Sequence, residues 1–320
     1  MAVVFRSTTV VGAGAVGCYF GAKLAQAGHA VTLVARPAHV EAIRSRGLQL
    51  QTGGQTHTVP IGASTTLDAV AGADLVLVCV KSPDTAGIAR AIAPLLAPQA
   101  LVVSLQNGVD NAAVLAHHLS QTVVPAVVYV ATAMGGPGLV QHFGRGDLVI
   151  GTPDGSAAVP GGTMAQQLQA LVDLFVPAGV PVRVADDVLG ELWRKLLVNC
   201  AWNAVSALAQ QPYGRIAAVP ALHETLLDTL REVVAVAGAA GHPIPLDEAI
   251  AAADRIPAAM PAQMASTAQD LARGKPSEID HLNGYVARLG AQLGVPTPVN
   301  RALHALVKVV EATRSGAAPG

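Results

Sequence analysis

A lysine and two asparagines recur at helical spacing in the second half of the chain. Lys195, Asn199 and Asn203 are four residues apart, so a helix would place them on one face. Nearly every other position from 196 to 208 is apolar, and a solvated stripe would normally carry charged residues rather than asparagines, which are poor helix formers. A buried amide without a partner costs about 1 to 3 kcal/mol. The pattern therefore favours a cleft that binds a polar substrate over a solvated stripe.

Proton donation is the chemistry that a lysine in such a cleft offers. In a reaction that leaves negative charge on a carbonyl oxygen, an ammonium group complements that charge. Desolvation of Lys195 among apolar neighbours would favour its acting as an acid near neutral pH. We therefore expect Lys195 to be a general acid, an effect typically worth roughly 10² to 10⁴ in rate.

A glycine fingerprint near the start of the chain predicts dinucleotide binding. The pattern G-x-G-x-x-G, at Gly12, Gly14 and Gly17, directly follows an apolar strand pattern and opens a helix pattern. The first glycine allows a tight turn, the second lets the backbone approach a pyrophosphate, and the third allows close packing of helix on strand. The helix N–H groups, starting with those of Ala15 and Val16, would face the anion together with the helix dipole.

The residues after the second predicted strand indicate which dinucleotide is bound. At this distance from the fingerprint, NAD-binding proteins usually carry an Asp or Glu for the ribose hydroxyls. This chain has Ala35, which cannot accept that hydrogen bond, and Arg36, whose guanidinium suits a 2′-phosphate. The sequence therefore predicts NADP(H) in preference to NAD. Whether Arg44 or Arg46 assists stays open.

Two more polar residues follow later predicted strands. Lys81 ends an apolar strand, and Ser82 is expected to cap the next helix with Pro83 at its first position. Asn107 follows the next strand along the chain. Open parallel sheets bind ligands at the carboxyl ends of their strands. We expect Lys81 and Asn107 to lie where the nicotinamide ribose and the substrate meet.

A third cluster combines hydroxyl groups with an acidic helix start, in residues 266–270 and 277–284. By itself it is ambiguous. Ser277 as a helix N-cap, with Glu278 and Asp280 in the first turn, is explained by capping and the helix dipole alone.

Composition limits the classes of function. The 320 residues are 52% hydrophobic and 13% charged, with a formal net charge of −1, so the chain is an ordered protein without a basic field for nucleic acid or a polybasic patch for membrane. No apolar stretch reaches the roughly 20 residues of a membrane-spanning helix, and no signal peptide is visible. The three cysteines form no disulfide framework or metal-site pattern, which favours the cytoplasm.

The elements that must position the candidate residues divide the chain in two. Residues 1–185 alternate short β-branched runs with Ala-rich helical stretches, and residues 186–320 read as helices. We predict an α/β fold with an N-terminal Rossmann-type doubly wound sheet and a C-terminal all-helical domain, the site lying in the cleft between them. Residues 48–60, with Gly53-Gly54 at their centre, predict a small hairpin, and residues 139–150 a similar insertion. The predicted helices of the second part are 186–209, 217–240, 264–273, 276–294 and 297–312.

Together these pieces resemble the ketopantoate reductase family over essentially the whole chain. The most specific matches are ELWRKLLVNC at 191–200 and SEIDHLNG at 277–284. The resemblance implies that Lys195 is the general acid on the ketone oxygen, that Glu278 orients the substrate and holds the lysine, and that Ser266 binds the substrate carboxylate. It further implies that Asn107 holds nicotinamide and substrate, that Asn199 and Asn203 contact the substrate, and that Lys81 and Arg36 serve NADPH.

Two positions depart from the family pattern. Tyr213, in the segment QPYG, and Gln263 stand where asparagines are expected. These changes leave the cofactor and reaction type intact but would reshape the substrate pocket. The hypothesis is an NADPH-dependent reductase of 2-dehydropantoate, a small-molecule 2-oxo acid. The alternatives are a reductase or dehydrogenase of the same fold that acts on another 2-oxo acid or D-2-hydroxy acid, and a non-catalytic NADP(H)-binding regulator. Oligomeric state stays open, a homodimer included.

Overall fold

The computed structural model describes residues 3–314 and divides into two compact units. Unit 1 comprises Met1–Glu191 and unit 2 Leu192–Gly320. The division falls inside one helix, Val188–Ala209, whereas the sequence pattern placed the boundary at 185/186. Within the described residues, no helix has both the length and the apolar character needed to cross a membrane.

Unit 1 contains a mixed sheet of ten strands. In the order β4-β3-β9-β8-β7-β6-β1-β2-β5, neighbours are hydrogen-bonded, and β10 pairs with β9. The six strands from β8 to β5 in this order pair in parallel, as predicted for a doubly wound sheet. The strands are β1 (Ser7–Val11), β2 (Ala30–Val34), β3 (Leu48–Thr52), β4 (Gln55–Val59), β5 (Gly62–Ser64), β6 (Leu75–Val78), β7 (Leu101–Ser104), β8 (Val123–Gly136), β9 (Leu139–Ile150) and β10 (Val182–Val184).

The central strands read as apolar runs because they are buried on both faces. All four residues of β6 and all four of β7 are buried. The aromatic side chains of Phe20 and Phe175 meet edge to face in the core, with ring centroids 6.3 Å apart. The helices of this part of the chain are α1 (Ala15–Gln26), α2 (Pro37–Arg46), α3 (Thr85–Ile92), α4 (Asn111–His118) and α5 (Thr163–Phe175).

One of the two predicted insertions has a different structure. The hairpin predicted for residues 48–60 is confirmed, with β3 and β4 antiparallel about Gly53-Gly54. Residues 139–150 were predicted to be a similar small insertion, which is wrong, because they form the single strand β9, antiparallel to β8. Gly144 and Gly146 lie where the β8–β9 register shifts, so these glycines serve irregularities in a long ladder rather than a turn.

Unit 2 is helical throughout its described residues, as predicted. The helix α6 (Val188–Ala209) leads into it. The other helices are α7 (Tyr213–Ala217), α8 (His223–Ala239), α9 (Leu246–Ala259), α10 (Ser266–Ala272), α11 (Asn283–Leu293) and α12 (Pro298–Arg314). Two of these, α7 and α9, were not among the predicted segments.

Helix α9 contains a proline in its interior. Pro257 lacks the N–H that would bond the carbonyl of Ala253, four residues earlier. The indole Nε1 of Trp202 donates to that carbonyl at 3.0 Å. The tertiary contact therefore satisfies the carbonyl that the proline leaves without a helical partner.

Candidate functional site

The glycine loop has the geometry that its sequence predicted. Gly12 has φ +95°, and a Cβ there would lie 2.6 Å from the backbone nitrogen of Val80. A Cβ on Gly17 would lie 2.5 Å from the carbonyl oxygen of Gly12. Both positions therefore exclude a side chain through contacts within the protein itself.

Gly14 differs, and its surroundings fit a bound pyrophosphate. A Cβ on Gly14 would meet no heavy atom of the described residues within 4 Å, and its φ of −79° suits any residue. It is the N-cap of α1, and no side chain within the described residues caps this helix. The N–H groups of Ala15, Val16 and Gly17 lack partners inside the helix. Their arrangement at a helix N-terminus suits an anion that approaches the backbone closely.

Arg36 lies beside this loop at the same edge of the sheet. Residue Val34 ends β2 in register with Val11 of β1, so the loops that follow both strands are neighbours. Arg36 is exposed at the N-cap of α2, and its guanidinium makes no hydrogen bond to the described residues. Arg44 and Arg46, in contrast, donate to the carbonyls of Ala63 and Pro137. Of the three arginines, Arg36 is the one that these contacts leave available for a phosphate.

Lys81 and Asn107 follow strands that end at this same edge. Val11 pairs with Val78, and Val78 pairs with Ser104, so β1, β6 and β7 end level with one another. Lys81 and Asn107 are both half-buried. The structure therefore brings the loops that carry them next to the glycine loop, which agrees with the sequence argument for their location.

The predicted helix cap at Ser82 is wrong. Lys81 is the N-cap of a short 3₁₀ turn, Ser82–Asp84, that precedes α3. The buried Ser82 hydroxyl donates instead to the carbonyl of Asn107, at 3.0 Å. A tertiary hydrogen bond between two loops has taken the place of a local cap.

In unit 2, α6 carries the predicted polar face. Lys195 and Asn199 are half-buried, and Asn203 is only 4% exposed. Neither the Asn199 nor the Asn203 side chain hydrogen-bonds to another described residue. Because a buried amide without a partner is unfavourable, the Asn203 amide is suited to a polar ligand, and the half-buried Asn199 amide lies one turn before it on the same helix face.

Ser206 connects the end of this face to the Ser266 segment. Its fully buried hydroxyl donates to the carbonyl of Gln211 at 2.8 Å and accepts from the N–H of Ala265 at 3.2 Å. Ser266, the first residue of α10, is exposed. Ser206 therefore holds the residue before Ser266 one helical turn from Asn203.

The turn that carries Glu278 is fixed to α12. Glu278 is half-buried and precedes a 3₁₀ turn, Ile279–His281. On one side of it, the N–H of Ser277 donates to Glu311 at 2.7 Å, and on the other, Asp280 accepts from Lys308 at 2.8 Å. The Ser277 hydroxyl accepts from the N–H of Ile279 at 3.2 Å. The predicted helix 276–294 with Ser277 as its N-cap is nevertheless wrong, because Glu278 is the N-cap of the 3₁₀ turn and α11 begins only at Asn283.

The charges of α12 favour the ionised form of the carboxyls around this turn. Burial alone would raise the pKa of Asp280, but hydrogen bonds from Lys308 and His304 outweigh it and lower that pKa. Burial would also raise the pKa of Glu311, but hydrogen bonds from Lys308 and Ser277 outweigh the effect of burial and lower that pKa. Asp280 is thereby committed to structural ion pairs.

The other side of α6 is held by a buried amide pair. Asn283 donates to the carbonyl of Cys200, at 3.0 Å, and to the amide oxygen of Asn300, at 2.9 Å. Asn300 donates in turn to Glu232, whose carboxylate also accepts the N–H groups of Val299 and Asn300 at the start of α12. Helix α12 thus supports both α6 and the Glu278 turn.

The two departures from the expected pattern are neighbours. The N–H of Tyr213 donates to the carbonyl of Gln263 at 3.0 Å. The Tyr213 ring is buried edge-on against Trp202, at 5.9 Å between centroids, and burial raises the pKa of its hydroxyl to about 12. Tyr213 and Gln263 therefore form one local change.

The structure groups the predicted residues by unit. One edge of the sheet in unit 1 collects Gly12, Gly14, Ala15, Val16, Gly17, Arg36, Lys81 and Asn107. In unit 2, α6 carries Lys195, Asn199 and Asn203, and Ser206 and α12 hold the segments of Ser266 and Glu278. Sequence reasoning missed Ser206, Asn283, Asn300 and Glu232; the signal was the presence of isolated polar residues in apolar helix patterns.

Comparisons with known proteins agree over most of the chain. The family model described as ketopantoate reductase PanE/ApbA matches residues 8–155, and the model of its C-terminal part matches residues 187–311. A 2-dehydropantoate 2-reductase of Mesorhizobium japonicum is 32% identical, covering 94% of this chain and 96% of that protein. A crystal structure of a PanE/ApbA family ketopantoate reductase from Ralstonia eutropha JMP134 is 51% identical, with a TM-score of 0.88 and coverage of 96% and 99% of the two chains. A D-mandelate dehydrogenase solved with NADH and anilino(oxo)acetate, 24% identical, has the same fold, with a TM-score of 0.88 and coverage of 96% and 99%.

Proposed function

The chain belongs to the ketopantoate reductase family and is an oxidoreductase acting on a CH–OH group, and we propose that it reduces 2-dehydropantoate to pantoate with NADPH, in the synthesis of pantothenate and coenzyme A. The observation that carries the proposal is the α6 face, where a half-buried lysine stands in line with two asparagines whose amides have no hydrogen-bond partner in the described residues.

Unit 1 supplies the cofactor site of the proposal. Reductases of this family use a nicotinamide dinucleotide. Gly12, Gly14 and Gly17, with the N–H groups of Ala15 and Val16, would hold its pyrophosphate. Arg36 would pair with the 2′-phosphate, which favours NADPH over NADH. Lys81 and Asn107 would hold the nicotinamide ribose, and Asn107 would also contact the substrate. When bound, NADPH supplies the hydride that reduces the ketone carbon.

Unit 2 supplies the proton and the substrate contacts. Lys195 donates a proton from its ammonium group to the ketone oxygen, where negative charge develops. Glu278 orients the substrate and keeps the lysine in place. Ser266 binds the substrate carboxylate through its exposed hydroxyl, and Asn199 and Asn203 bind the hydroxyl and carbonyl groups.

The test is NADPH consumption by the purified protein with 2-dehydropantoate and with a panel of other 2-oxo acids, repeated with NADH. We expect kcat/KM for 2-dehydropantoate to exceed the others by about 10²-fold or more, because a site built around a substrate's polar groups discriminates strongly. Turnover of another 2-oxo acid alone would overturn the substrate assignment, and faster turnover with NADH would overturn the cofactor assignment.

One specific observation favours a second candidate. Tyr213 and Gln263, bonded through their backbones, place an aromatic ring and a longer amide where the family pattern has asparagines. The second candidate is the reduction of a different 2-oxo acid, or the oxidation of a D-2-hydroxy acid, by the same cofactor and the same lysine. A Tyr213→Asn, Gln263→Asn double variant separates the two, because it should gain activity on 2-dehydropantoate only if these residues now exclude it.

A further inference from the structure

A chain of buried polar side chains joins the Lys81 loop to the Asn107 loop in unit 1. Its members are each at most 5% exposed. They come from the 3₁₀ turn Ser82–Asp84, from α3, from β7, from the loop after β7 and from α4. They are Ser82, Thr85, Ser104, Gln106 and Asn111. None of them belongs to the residues assigned above to cofactor or substrate.

The hydrogen bonds of this polar chain all run in one direction. The Ser104 hydroxyl donates to the side-chain amide oxygen Oε1 of Gln106 at 3.1 Å, and Gln106 Nε2 donates to the Thr85 hydroxyl at 2.7 Å. The Thr85 hydroxyl donates to Asn111 Oδ1 at 2.8 Å. Each of the two amides therefore has a partner on its oxygen and on its nitrogen, which fixes the orientation of both.

The polar chain ends on the backbone beside the proposed cofactor residues. Asn111 Nδ2 donates to the Asn107 carbonyl at 2.5 Å and to the Ser82 hydroxyl at 3.1 Å. The Ser82 hydroxyl donates to the same Asn107 carbonyl. At the other end, Gln106 Nε2 also donates to the carbonyl of Val80, the residue before Lys81. One connected set of bonds thus holds the peptide of Asn107 and the peptide that precedes Lys81.

We propose that Thr85 and Asn111 are positioning residues, which set the Lys81 and Asn107 loops relative to each other for the bound cofactor. The proposal rests on the proposed function. Thr85 is central because its hydroxyl both accepts from Gln106 and donates to Asn111. Without it, Gln106 loses an acceptor and the Asn111 oxygen loses its donor, so the bonds that hold the Val80 carbonyl are no longer connected to those that hold the Asn107 carbonyl. A displacement of about 1 Å at a reacting centre can cost roughly 10²-fold in rate.

The test compares three substitutions. Thr85→Val keeps the shape of the side chain and removes the hydroxyl, and Thr85→Ser restores the hydroxyl. Thr9→Val is the matched control. Thr9, like Thr85, is a buried threonine of unit 1, and its hydroxyl donates one hydrogen bond, to the carbonyl of Ala69, which lies outside the polar chain. We expect Thr85→Val to lower kcat/KM roughly 10- to 100-fold and to weaken NADPH binding, with Thr85→Ser and Thr9→Val within about twofold of wild type.

Thermal midpoints measured on the same samples separate positioning from stability. The proposal is overturned if Thr85→Val and Thr9→Val lose similar stability and Thr85→Val keeps wild-type kinetic and binding constants. Should Thr85→Val fail to fold, Ser82→Ala, which removes one donor to the Asn107 carbonyl, is judged by the same assays. If the wild type binds NADPH but reduces no 2-oxo acid, the proposed function fails, and the NADPH dissociation constants of these variants still decide the positioning role.

Discussion

The glycine loop of unit 1 and the α6 face of unit 2 hold their functional groups by different means. In the loop, the groups are backbone N–H donors, and their placement follows from Gly12 and Gly17, five residues apart. On α6, the groups are side chains, and the helix is held by Asn283, which is 83 residues from its partner Cys200. The comparison shows that a site built from backbone is encoded locally, whereas a site built from side chains depends on distant residues.

The largest expected effect comes from removing the proposed proton donor on α6. Lys195→Ala should lower kcat by roughly 10² to 10⁴, because the ketone oxygen then gains its proton without a positioned acid. Steady-state kinetics at saturating NADPH measure this. Lys23→Ala, which changes a lysine in the last turn of α1, is the control and should stay near wild type in kcat. A kcat for Lys195→Ala within a few-fold of wild type would show that the general acid lies elsewhere.

The next effect tests the distant support of α6. Asn283→Leu should destabilise the protein by about 1 to 3 kcal/mol, because it removes the donor to Cys200 and leaves the buried Asn300 oxygen without a partner. Urea unfolding measures the change. Gln166→Leu, which removes an exposed side-chain bond to Gly161, is the control with little expected effect. Equal stability of the two variants would mean that α6 does not depend on this contact.

A smaller effect should separate the two nicotinamide cofactors. Arg36→Ala should weaken NADPH binding by roughly tenfold and leave NADH binding unchanged, because only NADPH carries the 2′-phosphate and a charged hydrogen bond from an exposed arginine contributes about 1.5 kcal/mol, the low end of the usual range. Fluorescence titration with each cofactor measures both constants. Arg90→Ala, on the exposed side of α3, is the matched control. An equal loss for NADPH and NADH would exclude Arg36 as the residue that reads the phosphate.

The smallest effect concerns acid stability near Glu278. The folded-state pKa values of Asp280 and Glu311 lie below their ordinary values of 3.8 and 4.5. Their contribution is therefore present above pH 4.5 and is lost as the pH falls below these values, since the unfolded chain then binds more protons. Lys308→Met should be less stable than wild type at neutral pH, by at most about 1 kcal/mol for such a partly exposed pair, with a gap that narrows in acid. Urea unfolding of both proteins, at neutral pH and in acid, measures the difference in their free energies of unfolding. A difference that widens in acid would contradict the assignment of lowered pKa values to Asp280 and Glu311.

The parts of the fold that sequence could predict are those encoded locally. The glycine fingerprint, the β-branched strands and the Gly53-Gly54 hairpin each depend on residues within a few positions of one another. Helix α9 was missed because six of its 14 residues are alanines and because Pro257 interrupts the pattern; the free carbonyl that the proline leaves is satisfied by Trp202, 51 residues from Ala253 in the sequence. The strand β9 was misread because its glycines look like turn residues until β8 is placed beside them.

The site follows the same rule. Lys195, Asn199 and Asn203 could be grouped from spacing alone, since helix periodicity fixes which residues share a face. Ser82 was misassigned because a hydroxyl before a proline is typical of a helix cap, and its actual partner, Asn107, is 25 residues away. The supports of Ser266 and Glu278 were missed for the same reason, as each depends on a partner on another helix.

The most direct test of the division between the two regions is the NADPH dissociation constant of Gly14→Ala and of Lys195→Ala, measured by fluorescence titration. Gly14 has space for a methyl group within the protein, so Gly14→Ala should keep the wild-type thermal midpoint and weaken NADPH binding by roughly tenfold or more, because the methyl group lies where the pyrophosphate approaches the backbone. Lys195→Ala should bind NADPH within about twofold of wild type while its turnover is lost. Tight NADPH binding by Gly14→Ala would contradict the account.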